Sequence, residues 1–101
     1  MIKISIQEQE DNMVAVIDGR LDTPASPKAG KALEPLLHCH DKDVVLDCTR
    51  LDYISSSGLR IFLDILKNVK AHGHQVYLKN ISDSIREAFV LTGFINLFKY
   101  I

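Results

Sequence analysis

The sequence contains no tryptophan, only two cysteines, and no apolar run of the length that crosses a membrane. Two cysteines are too few for the disulfide framework of a small exported domain, and the first four residues do not open a signal peptide, so we expect reduced thiols and a cytoplasmic location. The net charge of −1 gives no general attraction to nucleic acid or anionic membranes. Neither a glycine-rich nucleotide-binding loop nor the Gly-x-Ser-x-Gly elbow of a serine hydrolase occurs, which argues against an enzyme and against a bound cofactor.

What the sequence does contain is typical of one globular domain of 101 residues, with 47% hydrophobic and 25% charged residues. Short apolar or alternating runs predict strands at residues 2–7, 13–17, 44–46, 76–78 and 98–101. The first alternates cleanly, as expected near a sheet edge, and Gly19 is expected to end the second. A polar, hairpin-length loop joins these two strands, so they should pair antiparallel.

Helical spacing of apolar residues predicts three helices between these strands. The first has Thr23 or Ser26 as its N-cap, followed by a proline at the first helical position, and Pro35 should kink the helix or end it early. The second covers residues 57–72, and the third follows a cap at Ser82. The strand, helix and strand order around the second helix predicts a parallel crossover. The predicted fold is therefore a single α/β domain, with a mixed sheet of about four to five strands, an N-terminal antiparallel hairpin and helices packed on the sheet.

The most informative stretch is residues 44–61, VVLDCTRLDYISSSGLRI. Polar residues follow an apolar strand, and three serines and Gly58 then precede a helix. One serine must cap that helix, because its first N–H groups have no internal acceptor. The other hydroxyls then lie at the positive end of the helix dipole, where an added phosphate is stabilised.

This stretch resembles the signature of the sulfate-transporter and anti-sigma-factor-antagonist (STAS) family, and most closely that of stand-alone bacterial anti-sigma-factor antagonists. The family pattern is a strand, a short connector containing Leu-Asp, and then Asp-Ser-Ser/Thr-Gly-Leu opening a helix. Residues 51–59, LDYISSSGL, match it except that Ser55 replaces the usual aspartate. Residues 19–22, GRLD, and 91–94, LTGF, also follow the family pattern, so the resemblance covers nearly the whole chain as one STAS domain, residues 1–101.

The resemblance implies site residues as well as a fold. The family's phosphorylated serine falls on Ser56, and the family places the loop that contains Asp22 beside it. The residues expected to face a protein partner are Asp22, Ser55, Ser57, Gly58, Leu59 and Arg60.

Each of these residues also has a purely structural interpretation. The serines could serve only as a loop and helix cap, and Asp22 could simply accept N–H bonds at the start of the first helix. Gly58 could ease the turn into the helix, or its missing side chain could let a partner's backbone approach Ser56. Neighbouring residues on a helix do not share a face, so residues 38–40, HCH, do not predict a metal site.

The function implied by the resemblance is that of a phosphorylation-switched binding module. The unphosphorylated form would bind an anti-sigma factor that is also a serine kinase, and so release a sigma factor. Phosphorylation of Ser56 would end the interaction, and a PP2C-type serine phosphatase would restore it. Two alternatives are a STAS subunit docked on a transporter ATPase and a sensor that binds a nucleotide or another small molecule.

Overall fold

A computed structural model describes residues 2–101, and in this part of the chain six strands form one mixed sheet with four α-helices and one 3₁₀ turn. The strands are β1 (Lys3–Glu8), β2 (Asn12–Leu21), β3 (Asp43–Asp47), β4 (Leu51–Ile54), β5 (Val76–Lys79) and β6 (Lys99–Tyr100). The helices are α1 (Ser26–Ala32), α2 (Glu34–Leu37), α3 (Ser56–Ala71) and α4 (Asp83–Thr92), and the 3₁₀ turn is Phe94–Asn96.

The N-terminal hairpin is confirmed. Strand β1 pairs antiparallel with β2 along its whole length, with Ile4 opposite Ile17, and β1 lies at one end of the strand order β1-β2-β3-β5-β6. Its alternating isoleucines pack one face of the strand against the core, while Lys3 and other polar residues face outward. A half-polar strand of this kind suits an edge, because only one of its faces has apolar surface to bury.

The remaining pairs in the sheet are parallel, as the crossover prediction requires. Strand β3 pairs with β2 on one side and with β5 on the other, and α3 lies between β3 and β5 in the sequence. The buried face of these strands carries Val44, Leu46, Val76 and Leu78. Strand β6 adds a short parallel partner beyond β5.

Strand β4 was not predicted, because it pairs with a part of β2 that the sequence pattern did not assign to a strand. The expectation that Gly19 ends the second strand is wrong: β2 continues to Leu21 and pairs parallel with β4. The register shifts between Gly19 and Arg20, and Gly19 has a φ of +113°, a conformation that other residues rarely adopt. This bulge redirects the end of β2 onto residues 51–54, which the sequence pattern presented as a connector.

Helices α3 and α4 begin with a side-chain cap, whereas α1 and α2 do not. Neither Thr23 nor Ser26 is the N-cap of α1, because Ala25 occupies that position. The early end expected at Pro35 is confirmed: α1 stops at Ala32, and α2 begins at Glu34 with the proline in its first turn. Helices α3 and α4 each follow a serine N-cap, and the glycines that end them, at positions 73 and 93, have φ values of +81° and +79°.

The core lies between one face of the sheet and the helices. Phe62 of α3 and Phe89 of α4 are fully buried, and Phe89 packs edge-on against Phe98, with ring centroids 5.6 Å apart. Buried residues from every helix join this cluster. Within residues 2–101, no helix is both long enough and apolar enough to cross a membrane.

Candidate functional site

The three serines lie where β4 passes into α3, and each has a different environment. Ser55 is the N-cap: its hydroxyl accepts the Gly58 N–H at 3.2 Å, and its carbonyl accepts the Leu59 N–H at 2.9 Å. The Ser55 N–H in turn donates to the Leu21 carbonyl at 2.8 Å, which ties the helix start to the end of β2. Ser55 is only 7% exposed, so this cap belongs to the interior of the domain.

A chain of hydroxyl groups extends from this cap to the first helix. Ser57 Oγ lies 3.0 Å from Ser55 Oγ and 2.8 Å from Ser26 Oγ, and Ser26 Oγ donates to the Asp22 carbonyl at 2.9 Å. Each hydroxyl has one proton, so the direction of the chain follows from its end. Ser26 gives its proton to Asp22, Ser57 therefore donates to Ser26, and Ser55 donates to Ser57. Two of the three serines in the cluster are thus committed to internal hydrogen bonds.

Ser26 is the member of this site that the sequence did not reveal. The sequence presented it only as one of two possible caps of α1. In the structure it is the first residue of α1, is 8% exposed, and contacts Ser57, which lies 31 positions later in the sequence. Only the packing of α1 against α3 brings the two together, and no local pattern encodes that contact.

Ser56 is the exposed serine of the cluster and the first residue of α3. The N–H groups of Ser56 and Ser57 precede the first intrahelical bond, which Leu59 makes, so they lie at the helix end where donors lack internal acceptors. No acidic side chain lies in the first turn of α3. An anion at Ser56 would therefore meet open donors and the positive end of the helix dipole without a competing carboxylate in that turn.

Gly58 is required by packing inside the domain. A Cβ placed there would lie 2.7 Å from Leu21 Cγ, closer than side-chain carbons approach one another, and 3.0 Å from Ile54 Cγ1, which is tighter than most such contacts. Leu21 is fully buried and Ile54 nearly so. The space that the missing side chain leaves is thus filled by the ends of β2 and β4. This contact gives a structural reason for glycine at position 58, while the approach of a partner's backbone there stays a prediction.

The predicted partner-facing residues divide into two groups by exposure. Ser56 and Arg60 are exposed, and Asp22 and Ser57 are partly exposed. Ser55, Gly58 and Leu59 are buried, and of these three Leu59 also lines a cleft beside Ser56. Partner binding by all of these residues stays a prediction.

Asp22 has the structural role that the sequence offered as one of its two interpretations. Its Oδ1 accepts the Ala25 N–H at 3.0 Å and so closes the turn before α1. Its other carboxylate oxygen lies 3.9 Å from Arg20 Nε at the surface. One carboxylate therefore holds the turn and still faces the solvent beside the serine cluster.

A cleft of about 290 Å³ adjoins Ser56 on the side away from α1. It lies between α3 and the segment around the 3₁₀ turn, and Ser56 and Arg60 stand on the same wall, one helical turn apart. The residues that line it are Ser56, Leu59, Arg60, Leu63, Asp64, Lys67, Thr92 and Phe94. Its mixture of apolar walls and charged rim is a surface that another protein segment can contact.

The remaining chemically reactive side chains lie apart from the serine cluster. Burial, with a smaller contribution from the charge of Asp47, raises the pKa of the Cys48 thiol to about 12, so it stays protonated at neutral pH. His38 is exposed and Cys39 is buried, while His40 contacts His72 with ring nitrogens 3.0 Å apart. Among residues 2–101, no three histidine, cysteine or acidic side chains are grouped as a metal site would need.

Comparison with known proteins adds a family to this geometry. The model of the STAS domain matches residues 3–101. A protein of Bordetella bronchiseptica, BtrV, described as a candidate anti-sigma factor antagonist, is 28% identical over 97 residues, which are 96% of this chain and 84% of BtrV. The anti-sigma-B factor antagonist of Staphylococcus aureus is 25% identical over 92 residues, which are 91% of this chain and 85% of that protein.

The fold is shared with solved structures of the anti-sigma factor antagonist SpoIIAA. Its unphosphorylated form superimposes with a TM-score of 0.79 at 19% identity, covering 98% of this chain and 88% of the other. The phosphorylated form, from Bacillus, superimposes with a TM-score of 0.73 at 18% identity, covering 98% and 91%. The predicted fold class is confirmed by these likenesses.

Proposed function

The chain belongs to the STAS domain family, and we propose that it is an anti-sigma-factor antagonist whose binding is switched by phosphorylation of Ser56. In this function the unphosphorylated chain binds an anti-sigma factor and so frees a sigma factor. The anti-sigma factor is also the serine kinase that ends the interaction, and a PP2C-type serine phosphatase restores it. All of these partners meet the chain in the cytoplasm.

The observation that carries this proposal is the contrast among the three serines. Ser55 and Ser57 are held in a hydroxyl chain that ends on the Asp22 carbonyl, whereas Ser56 is exposed at the first position of α3. A kinase needs a hydroxyl that it can reach and turn toward its own base. Ser56 meets this need without breaking the cap, and Ser55 does not, because its oxygen accepts the Gly58 N–H.

The relatives support the same function. Both curated relatives carry names of anti-sigma factor antagonists, and SpoIIAA has been solved in unphosphorylated and phosphorylated forms. The match to the relatives spans more than nine-tenths of this chain in each case.

The modification itself is a phosphoryl transfer from ATP bound to the kinase. The bond between Ser56 Oγ and the γ-phosphorus forms while the bond from that phosphorus to the β,γ-bridging oxygen breaks. ADP leaves, and the hydroxyl proton passes to a base on the kinase. The chain described here supplies only the acceptor hydroxyl, so it acts as the substrate of this reaction.

The switch follows from the charge that the phosphate adds. A phosphoserine carries about −1.5 to −2 charges at neutral pH. Within the domain that charge is favourable, because an anion at an exposed helix N-terminus is stabilised by about 0.3–1 kcal/mol. The partner must instead desolvate the same dianion on a surface shaped for a bare hydroxyl. A buried charge left without a partner costs several kcal/mol, which exceeds the local gain.

The position of the phosphate tests the proposal directly. Incubation with the purified anti-sigma factor kinase of the organism that encodes this chain, together with ATP, should add one phosphate. Peptide mass spectrometry should place it on Ser56, and Ser56→Ala should abolish its uptake. Ser84→Ala is a matched control, because Ser84 is another exposed serine in the first turn of a helix. A phosphate on Ser55 or Ser57, or uptake that persists in Ser56→Ala, would contradict the assignment.

A second measurement distinguishes local charge from unfolding as the cause of release. Partner affinity and the urea midpoint of unfolding are compared for the phosphorylated and unphosphorylated chains. The expected result is a large loss of affinity with an unchanged or slightly raised midpoint. A midpoint that falls sharply would mean that phosphorylation acts by destabilising the fold, and equal affinities would remove the switch.

A further inference from the structure

An exposed arginine and an exposed tyrosine are stacked on each other beside the serine cluster. The guanidinium carbon of Arg20 lies 4.5 Å from the ring centroid of Tyr53, and 42% of Tyr53 is exposed. Arg20 makes one ionic contact in residues 2–101, from its Nε to Asp22 Oδ2 at 3.9 Å. Its two terminal nitrogens point to no hydrogen-bond acceptor in the described chain. The pair thus presents an aromatic surface and an unused guanidinium edge to the solvent.

A shift in the register between β2 and β4 brings Arg20 and Tyr53 together. The register between β2 and β4 passes from Gly19 opposite Leu51 to Arg20 opposite Tyr53, so that Asp52 has no partner on β2. The positive φ of Gly19 belongs to the same irregularity. Bulges of this kind redirect side chains and are frequent beside functional sites. Without the shift, Arg20 would stand opposite Asp52, and the stacked pair would not form.

The pair is continuous with the proposed phosphorylation site. The next residue on β2, Leu21, accepts the Ser55 N–H, and the next residue on β4, Ile54, leads directly into the serines. Leu21 and Ile54 face inward and are buried, so Arg20 and Tyr53 face outward one position earlier on each strand. The pair therefore lies one residue before the points at which β2 and β4 meet the serine cluster, and we expect a protein bound at Ser56 to extend to it.

We infer that Arg20 and Tyr53 are a binding anchor for the anti-sigma factor, an inference that rests on the proposed function. The occupant is a segment of that partner with an apolar side chain next to a carboxylate. The apolar side chain covers the exposed Tyr53 ring, and the carboxylate accepts two hydrogen bonds from the terminal nitrogens of Arg20. Tyrosine and arginine are the residue types that most often dominate binding energy at interfaces. Here they are already ordered by their mutual stacking, which lowers the entropy lost on binding.

The competing explanation is that the pair only stabilises the sheet. Cross-strand aromatic and charged neighbours do contribute to strand pairing without any partner. The molecule offers a second pair of the same chemistry for comparison: Arg86 lies 5.6 Å from the ring of Tyr100, and Tyr100 is less exposed than Tyr53. That pair joins α4 to β6 rather than β2 to β4. It serves as an internal control for loss of stacking alone.

The test measures the dissociation constant for the purified anti-sigma factor kinase of the same organism by calorimetry, together with the urea midpoint of each variant. Tyr53→Ala and Arg20→Ala should each raise the dissociation constant about 30-fold, the size of effect typical of an interface anchor. Arg86→Ala should leave it within about twofold. Arg20→Lys keeps the charge and the aliphatic stem but loses the two-pronged donor, and should raise it about tenfold.

The outcomes separate this inference from the function on which it rests. If the wild-type chain binds no anti-sigma factor of its organism, the proposed function fails and the anchor falls with it. If the wild-type chain binds and both alanine variants bind within about twofold of it, the anchor alone is overturned, and a lowered urea midpoint would assign the pair to sheet stability. If an alanine variant does not fold, Arg20→Lys tests the anchor in its place, because the lysine stem still packs on the Tyr53 ring. Unchanged affinity of Arg20→Lys for the anti-sigma factor would overturn the anchor, and a tenfold loss would support it.

Discussion

Helices α3 and α4 begin in almost the same way, yet only one of these beginnings has the properties of a site. Each follows a serine N-cap whose hydroxyl accepts the N–H three residues on, at 3.2 Å for Ser55 and 3.3 Å for Ser82. Each cap also lies close to a second serine two residues later, Ser57 or Ser84, at 3.0 Å and 3.2 Å. A search for serines at helix starts would find both.

The two helix starts differ in everything beyond the cap. Ser55 is buried and its hydroxyl chain continues to another helix, while Ser82 and Ser84 are exposed and their chain ends there. The first helical residue is the neutral Ser56 in α3 and the acidic Asp83 in α4. In α4 a negative charge already occupies the place where a phosphate would add one in α3. A serine cap thus identifies a helix start, and the surrounding charge and burial decide whether that start can act as a switch.

The largest expected change in stability comes from substituting the third residue of helix α3. The third residue is Gly58 in α3 and the buried Ile85 in α4. Gly58→Ala should lower the free energy of unfolding by up to about 3 kcal/mol, because the new Cβ meets Leu21 Cγ at 2.7 Å in a packed core. Urea unfolding measures the loss.

Gly30→Ala in α1 is the matched control for the glycine prediction. A Cβ at Gly30 would lie 3.8 Å from Ile61 Cδ1, an ordinary contact, so that variant should gain about 0.5–1 kcal/mol from the better helix propensity of alanine. Equal effects of the two substitutions would show that the close approach of α3 to β2 is not what selects glycine at position 58.

Removing each cap tests whether burial distinguishes the two serines. Ser82→Ala should cost about 0.5–1 kcal/mol, the loss of an exposed N-cap. Ser55→Ala should cost about 1–3 kcal/mol, because it removes a buried cap and also leaves the partly buried Ser57 hydroxyl without its donor. Thermal or urea unfolding of both variants gives the difference, and a Ser82→Ala loss equal to that of Ser55→Ala would mean that the hydroxyl chain adds nothing to the cap.

The smallest expected effect comes from making the first residues of the two helices alike. Ser56→Asp gives α3 the acidic first residue of α4 and should raise the free energy of unfolding by about 0.3–1 kcal/mol, since a carboxylate is favoured at that end of a helix. Asp83→Ser makes the opposite change and should lower it by a similar amount. High salt should weaken both effects. A Ser56→Asp variant that is less stable than the wild type would contradict the proposal that an anion at this position is stabilised by the helix N-terminus.

Much of the fold could be predicted from the sequence because its signals are local. Alternation of apolar residues indicated β1, and helical spacing indicated α3 and α4 together with the serines and glycines at their ends. Strand β4 could not be predicted in this way. Its four residues lack alternation, with the two middle ones exposed and the outer two buried, and its pairing depends on a bulge in β2, a strand far earlier in the sequence. The end of β2 was misjudged for the same reason, since a glycine at a bulge and a glycine at a strand end look alike in sequence.

The sequence by itself determined that a serine caps the helix that follows the apolar strand at residues 44–46, and that further hydroxyls lie at the positive end of that helix's dipole. Those properties depend on neighbours within a few positions. Only the tertiary structure decided which serine is free, because Ser57 is held by Ser26 and Ser55 by its own burial. It also decided why position 58 is glycine, through the approach of Leu21, and how Arg20 comes to lie on Tyr53. Each of these contacts joins residues about 30 or more positions apart, so its distance is set by strand register and helix packing, which no local pattern contains.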